Sequence, residues 1–148
     1  MTRSRLSLAP AVIALLAVAT ACRSDLSWPS AGPPEIAGTW TVREIEGRPT
    51  LAGAEPRIEF TADAAAGSTG CNSFHAAADR RDGFLRFGAA AVTRRACAPE
   101  IMEQETRFLS ALAAVGSYRR SGSTLVLEGS GGRALLRLVE AAAAVPRG

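Results

Sequence analysis

The sequence predicts a mainly β fold of the α+β kind: a small antiparallel sheet, curled on itself and closed on one side by one α-helix. Three observations predict it. Short stretches alternate apolar and polar residues between turn signals, which is strand chemistry. Only one stretch, Pro99 to Val115, steps its apolar residues at helical spacing. The strands also follow one another without helical crossovers, so an antiparallel sheet is the economical arrangement. The chain has 148 residues, enough for one domain of ordinary size. Its hydrophobic share of 47% is largely alanine and aromatics are only 5%, so the core must be small and aliphatic.

The first 21 residues read as an address. Arg3 and Arg5 precede an apolar run that Pro10 and Thr20 interrupt, and Ala19-Thr20-Ala21 end it just before Cys22. Basic start, apolar middle and small residues at the end form the pattern of a secretory signal. The run is too short and broken to serve as a spanning helix. The cysteine after the small residues resembles a bacterial lipobox, although a strict lipobox has leucine where this chain has Ala19. That resemblance implies cleavage before Cys22 and a lipid on its sulfur. Arg23, rather than an aspartate, follows the cysteine, which by the same analogy argues against retention at an inner membrane. Residues 22–35 are rich in Pro, Ser and Gly without periodicity and read as a tether, with Trp28 free to rest at a lipid interface or on the domain.

The domain is expected over residues 36–140. "GTWTVREIEG" alternates as a strand from Gly38, with a turn or bulge near Glu44. "RIEFTAD" places Ile58 and Phe60 on one face. "AAAGS" reads as a turn into a strand "STGCNSF", and "FLRFG" and "AAAVT" as short strands. Asp79 and Asp82 flank Arg80 and Arg81 in what reads as a solvated turn. The helix opens at Pro99, whose missing N–H costs nothing in a first turn. Glu100, Glu103 and Glu105 lie near its start, where the helix dipole favours acids. Ile101, Glu105, Phe108, Leu112 and Val115 mark its inner stripe with Leu109 beside them, and Gly116 suits a C-terminal cap. Three strands follow, near 117–120, 123–128 and 133–139, joined by Gly-containing turns. Residues 141–148 read as a loose tail.

Charge excludes little but points away from nucleic acid. There is no lysine, and removing Arg3 and Arg5 leaves fifteen arginines against fourteen acids. The remaining basic doublets form no stripe with stacking aromatics, so no nucleic-acid partner is expected.

Three cysteines is an odd number for an exported chain. If Cys22 carries lipid, Cys71 and Cys97 remain as a pair, and an oxidising compartment favours a disulfide. A loop of about 26 residues would gain roughly 3–4 kcal/mol from closure. The sharper readings of Cys71 lack partners. A nucleophile needs a histidine in reach, and His75 lies four residues on, roughly 13 Å along a straight strand. Two cysteines and one histidine fall short of a zinc site, and the spacing is far from C-x-x-C. His75 reads as a surface or loop histidine. No catalytic residue, metal or cofactor is expected.

"GTWTVREIEG", "IEFT", "GSTGCNSF", "AVTRRACAPEIMEQETRFLSAL", "YRRSGSTLVLEG" and "ALLRLV" together resemble the META domain, also called HslJ-like, from about Ile36 to Val139. Its most specific features are Gly70-Cys71-Asn72 and the segment Thr93 to Cys97 before a Glu-containing helix. The resemblance implies a β-rich, barrel-like fold with one helix. It places the chain among envelope lipoproteins or secreted proteins linked to heat-shock or antibiotic stress, without an established enzymatic activity. The fold it implies is also similar to that of lipid-binding pilot lipoproteins that escort secretins. Gly70, Asn72 and Thr93 are then structural. The expected protein is a non-enzymatic, monomeric envelope lipoprotein that binds a membrane through Cys22 and a protein or lipid partner through its domain. A carrier of a small apolar ligand, in a cleft between helix and sheet, is the alternative; a thiol enzyme centred on Cys71 comes last.

Overall fold

The computed structural model describes residues 35–81 and 83–142. The expected signal peptide, Cys22, Trp28, the expected tether up to residue 34 and the expected tail beyond residue 142 lie outside the described residues.

Ten strands and one α-helix make up the described fold. The strands are β1 (Gly38–Ile45), β2 (Arg48–Pro49), β3 (Arg57–Phe60), β4 (Ala64–Ser68), β5 (Ser73–Arg81), β6 (Phe84–Phe87) and β7 (Ala91–Val92). Helix α1 (Pro99–Ala113) follows, then β8 (Ser117–Ser121), β9 (Thr124–Glu128) and β10 (Ala134–Glu140). Every pairing is antiparallel. Eight strands form a closed ring in the order β10-β9-β8-β6-β5-β4-β3-β1, and β1 returns to β10. β2 pairs only with β1, and β7 only with β5. Closure removes the free edges that an open sheet would present.

The ring is not equally tight all round. β1 and β10 align from Trp40↔Glu140 to Ile45↔Leu136, with a bulge between Val42 and Glu44, where the sequence suggests one. β6 and β8 share a single register pair, Phe84↔Ser117. One further backbone bond, Leu85 N–H to Gly116 O at 3.3 Å, accompanies it.

The inward face of each strand supplies the core. Trp40, Ile45, Ile58, Leu85, Leu125, Leu127, Leu136 and Leu138 are all essentially inaccessible. α1 packs against β1, β6 and β10 and adds Phe108, Ala111 and Leu112. Phe108 meets Phe74 of β5 edge-on, with ring centroids 5.4 Å apart. Each fully buried Leu, Ile or Phe side chain contributes about 1.5–3 kcal/mol.

Several local expectations change. "AAAGS" is strand β4, not a turn; alanine is a weak strand signal, but Ala65 is fully buried. "STGCNSF" is not a strand: residues 69–72 turn the chain from β4 into β5. β5 runs through Arg80 and Arg81, which are strand rather than loop, with Phe74, Ala76 and Ala78 inward. Small inward alanines hid that alternation. Gly116 is not the helix cap. The cap position is Ala114, and the Gly116 N–H bonds Glu128 O at 2.8 Å. The inner stripe of α1 holds Glu105, Phe108 and Leu112 as expected and Gln104 in addition, whereas Ile101 and Leu109 are only half-buried.

Candidate functional site

The 69–72 turn is built by its own side chains. Thr69 N–H donates to Asn72 O at 2.8 Å, and Asn72 N–H donates to the Thr69 hydroxyl at 2.9 Å. Between them Gly70 takes φ +100°, a conformation that suits glycine. A Cβ there would lie 2.3 Å from the carbonyl oxygen of Ala54, so glycine is required by space as well as by torsion. Cys71 leaves this turn and is bonded to Cys97, with the two Cα atoms 6.0 Å apart.

The Asn72 carboxamide ties the turn to the segment before α1. Its Oδ1 accepts from Arg95 N–H at 2.6 Å and from the Thr93 hydroxyl at 3.0 Å. Its Nδ2 donates to Arg95 O at 3.3 Å and to the Glu105 carboxylate at 3.0 Å. Both lone pairs and both protons of the amide are therefore engaged. Thr93 also accepts from Ser73 N–H at 3.0 Å. Glu105, on the second turn of α1, receives the Thr69 hydroxyl in a close contact and Asn72 on both oxygens. Beside it, Gln104 accepts from Leu51 N–H and donates to Ala54 O, each at 2.7 Å. Thr69, Asn72, Gln104 and Glu105 are all buried. Buried polar groups of this kind are tolerated because they are paired, and as a saturated network they favour one arrangement of the loops.

The predicted residues thus divide. Gly70, Cys71, Asn72, Thr93 and Cys97 come together in one lock. His75 stands apart, exposed on the outward face of β5, while Phe74 and Ala76 point inward. The acids expected to serve the helix dipole also separate. Glu100 is in the first turn, Glu103 lies 4.0 Å from Arg107, and Glu105 is an internal acceptor. Sequence reasoning missed Thr69, Gln104 and Glu105 as members of the lock. The signal was present for Glu105, a carboxylate inside an otherwise apolar stripe. Among the described residues, no group of three or more His, Cys, Asp or Glu is arranged to hold a metal. An apolar depression of about 200 Å³ lies between α1 and the sheet, lined by Phe87, Gly88, Val92, Leu109 and Leu112.

A turn locked to a Glu-bearing helix through Asn72 and a disulfide is the part of the sequence with the most specific resemblance. The sequence profile of the META domain matches residues 34–142. The chain belongs to the META domain family. Its fold is shared with solved structures. An NMR structure of a protein from Burkholderia xenovorans matches with a TM-score of 0.56 at 22% identity, over 70% of this chain and 81% of that one. A second NMR structure matches with a TM-score of 0.55 at 23% identity, over 69% and 87%. A DUF4847 family protein from Bacteroides vulgatus matches with a TM-score of 0.55 at 14% identity, over 71% and 93%. Likeness at these identities shows the fold alone. None of the curated proteins compared with this META chain matches it.

Proposed function

We propose that this chain is a non-enzymatic, lipid-anchored META module of the cell envelope that binds a protein or ligand partner under envelope, heat-shock or antibiotic stress. Cys22 is its lipidation site. Its place is the periplasmic face of an outer membrane or the cell surface. The observation that carries the reading is the engagement of the motif residues. Cys71 and Cys97 are spent on each other, and every polar atom of the Asn72 side chain is bonded within the lock. A nucleophile or general base needs a free atom facing substrate, and the motif offers none. A disulfide also suits an oxidising compartment, in keeping with the N-terminal signal pattern.

The apolar-ligand carrier is the second reading, and the depression beside α1 favours it. At about 200 Å³ it is smaller than the roughly 300–1,000 Å³ of ordinary ligand pockets, so partner binding ranks first.

Mass analysis of the N-terminal peptide from membrane fractions tests the reading. The expected result is a chain beginning at acylated Cys22, with C22A released into the soluble fraction. A soluble, unacylated wild-type chain whose inner thiols alkylate without reduction would refute it.

A further inference from the structure

The β6–β8 seam is the thinnest join in the ring, held by Phe84↔Ser117. β8 and β5, which lie on either side of β6, are bridged by another part of the chain. The Glu35 carboxylate accepts from Arg80 of β5 at 3.1 Å. The Glu35 backbone oxygen accepts from Arg120 of β8 in a close contact. One residue thus spans from β5 to β8 over the weak seam. The same carboxylate oxygen caps its own strand start, accepting from Ile36 N–H at 2.8 Å and Ala37 N–H at 2.7 Å.

Ile36 then enters the core and is fully buried. Its carbonyl accepts the Trp40 indole N–H at 2.9 Å. The Arg120 guanidinium lies 5.0 Å over the Trp40 ring and reaches Glu140 of β10 at 3.1 Å. Arg80 also touches Thr61 O at 3.4 Å. Arg80 of β5 and Arg120 of β8 therefore meet at Glu35, and the same two arginines reach on to the β3–β4 turn and to β10.

We propose that Glu35 and Ile36 form a releasable stopper that holds the barrel shut at the β6–β8 seam, so that withdrawing these two residues opens the barrel mouth around Trp40. The polar half of the stopper is easily broken. The Glu35 side chain is 72% exposed, and ion pairs of that kind are weak and screened by salt. The apolar half is one side chain. Displacing the two residues takes the Ile36 carbonyl from the Trp40 N–H and the Glu35 carbonyl from Arg120, so the contacts are lost together. The Phe84↔Ser117 pair and the Leu85–Gly116 bond are then the backbone links between β6 and β8, and low local contact is what marks a segment that opens on its own. This holds whether or not Cys22 is lipidated.

The test uses the full chain with Trp28→Phe, so that Trp40 is the sole tryptophan of the two. Ile36→Ser removes the plug, Glu35→Gln weakens the bridge, and Ile45→Val serves as a control in the core, where Ile45 is 1% exposed. Hydrogen exchange is followed in peptides covering 84–87 and 117–121 and in those of β1 and β10, with acrylamide quenching of Trp40. Ile36→Ser is expected to speed exchange at 84–87 and 117–121 by about tenfold more than at β1 and β10, and to expose Trp40 to quencher. Ile45→Val is expected to speed exchange evenly. An even change for Ile36→Ser, or unchanged Trp40 quenching, overturns the proposal. Should Ile36→Ser fail to fold, Glu35→Gln must show a smaller change confined to the same peptides, and its absence there is equally decisive.

Discussion

The barrel is held by different means at two places. Around Cys71 and Cys97 a covalent bond is set inside a saturated polar lock, with Asn72 joining the β4–β5 turn, the segment before α1, and Glu105 on the helix itself. Across β6 and β8 there is one register pair, backed by an exposed ion pair and one buried isoleucine. The first arrangement has no part that can leave without stranding buried polar groups, which is costly. The second can let go by giving up one apolar side chain and contacts that water readily replaces. The difference teaches where a META domain built this way has room to move: at the chain's point of arrival, not at its most specific motif.

The contrast can be broken or sharpened by substitution. The largest effect is expected from Cys71→Ala with Cys97→Ala, a loss of roughly 3–4 kcal/mol in denaturant unfolding, since the cross-link closes a loop of 26 residues. The variant should still fold with its polar lock intact. Next, Asn72→Ala is expected to cost about 2–3 kcal/mol, because Arg95 N–H and Glu105 lose buried partners together. A loss within ordinary surface values would mean that the lock does not stiffen the loops. Smaller again, Glu105→Gln keeps the shape but turns an acceptor into a donor facing Asn72. About 1 kcal/mol is expected, read as a shift in the unfolding midpoint.

The smallest effect belongs to the seam and depends on pH. Backbone N–H of Ala37, then Arg80, hold the Glu35 carboxyl below its ordinary value of 4.5. Because its folded pKa is depressed, its contribution is complete above the ordinary carboxylate range and is lost as pH falls through the lowered folded value. Acid titration of Trp40 fluorescence in the Trp28→Phe chain should therefore show a step below the ordinary range, absent in Glu35→Gln. A step at or above the ordinary value would contradict the bridge.

Much of this was legible in the sequence, and unevenly so. The helix begins at Pro99 as its spacing predicts, and the last three strands fall within a residue or two of their predicted limits. Large alternating residues such as Leu125 and Leu127 make those signals strong. β4 and β5 were hidden because their inward residues are mostly alanine, which buries little and favours strands weakly. Glu105 misled because an acid near a helix start has an ordinary explanation in the dipole. Only the long-range meeting of 69–72 with α1 reveals its partners. The stopper was illegible for the same reason: Glu35 and Ile36 sit at the end of a tether-like composition, and nothing local foretells contact with Arg80 and Arg120, 45 and 85 residues away.

Native-state hydrogen exchange on the unmodified chain compares the two regions most directly. The amides of Asn72 and Arg95, bonded inside the lock, should exchange only as the whole domain unfolds, with a denaturant dependence to match. The amide of Leu85, bonded to Gly116 across the seam, should exchange through a smaller opening that denaturant barely affects. Equal protection of Leu85 and Arg95, or a lock that opens before the seam, would contradict the account.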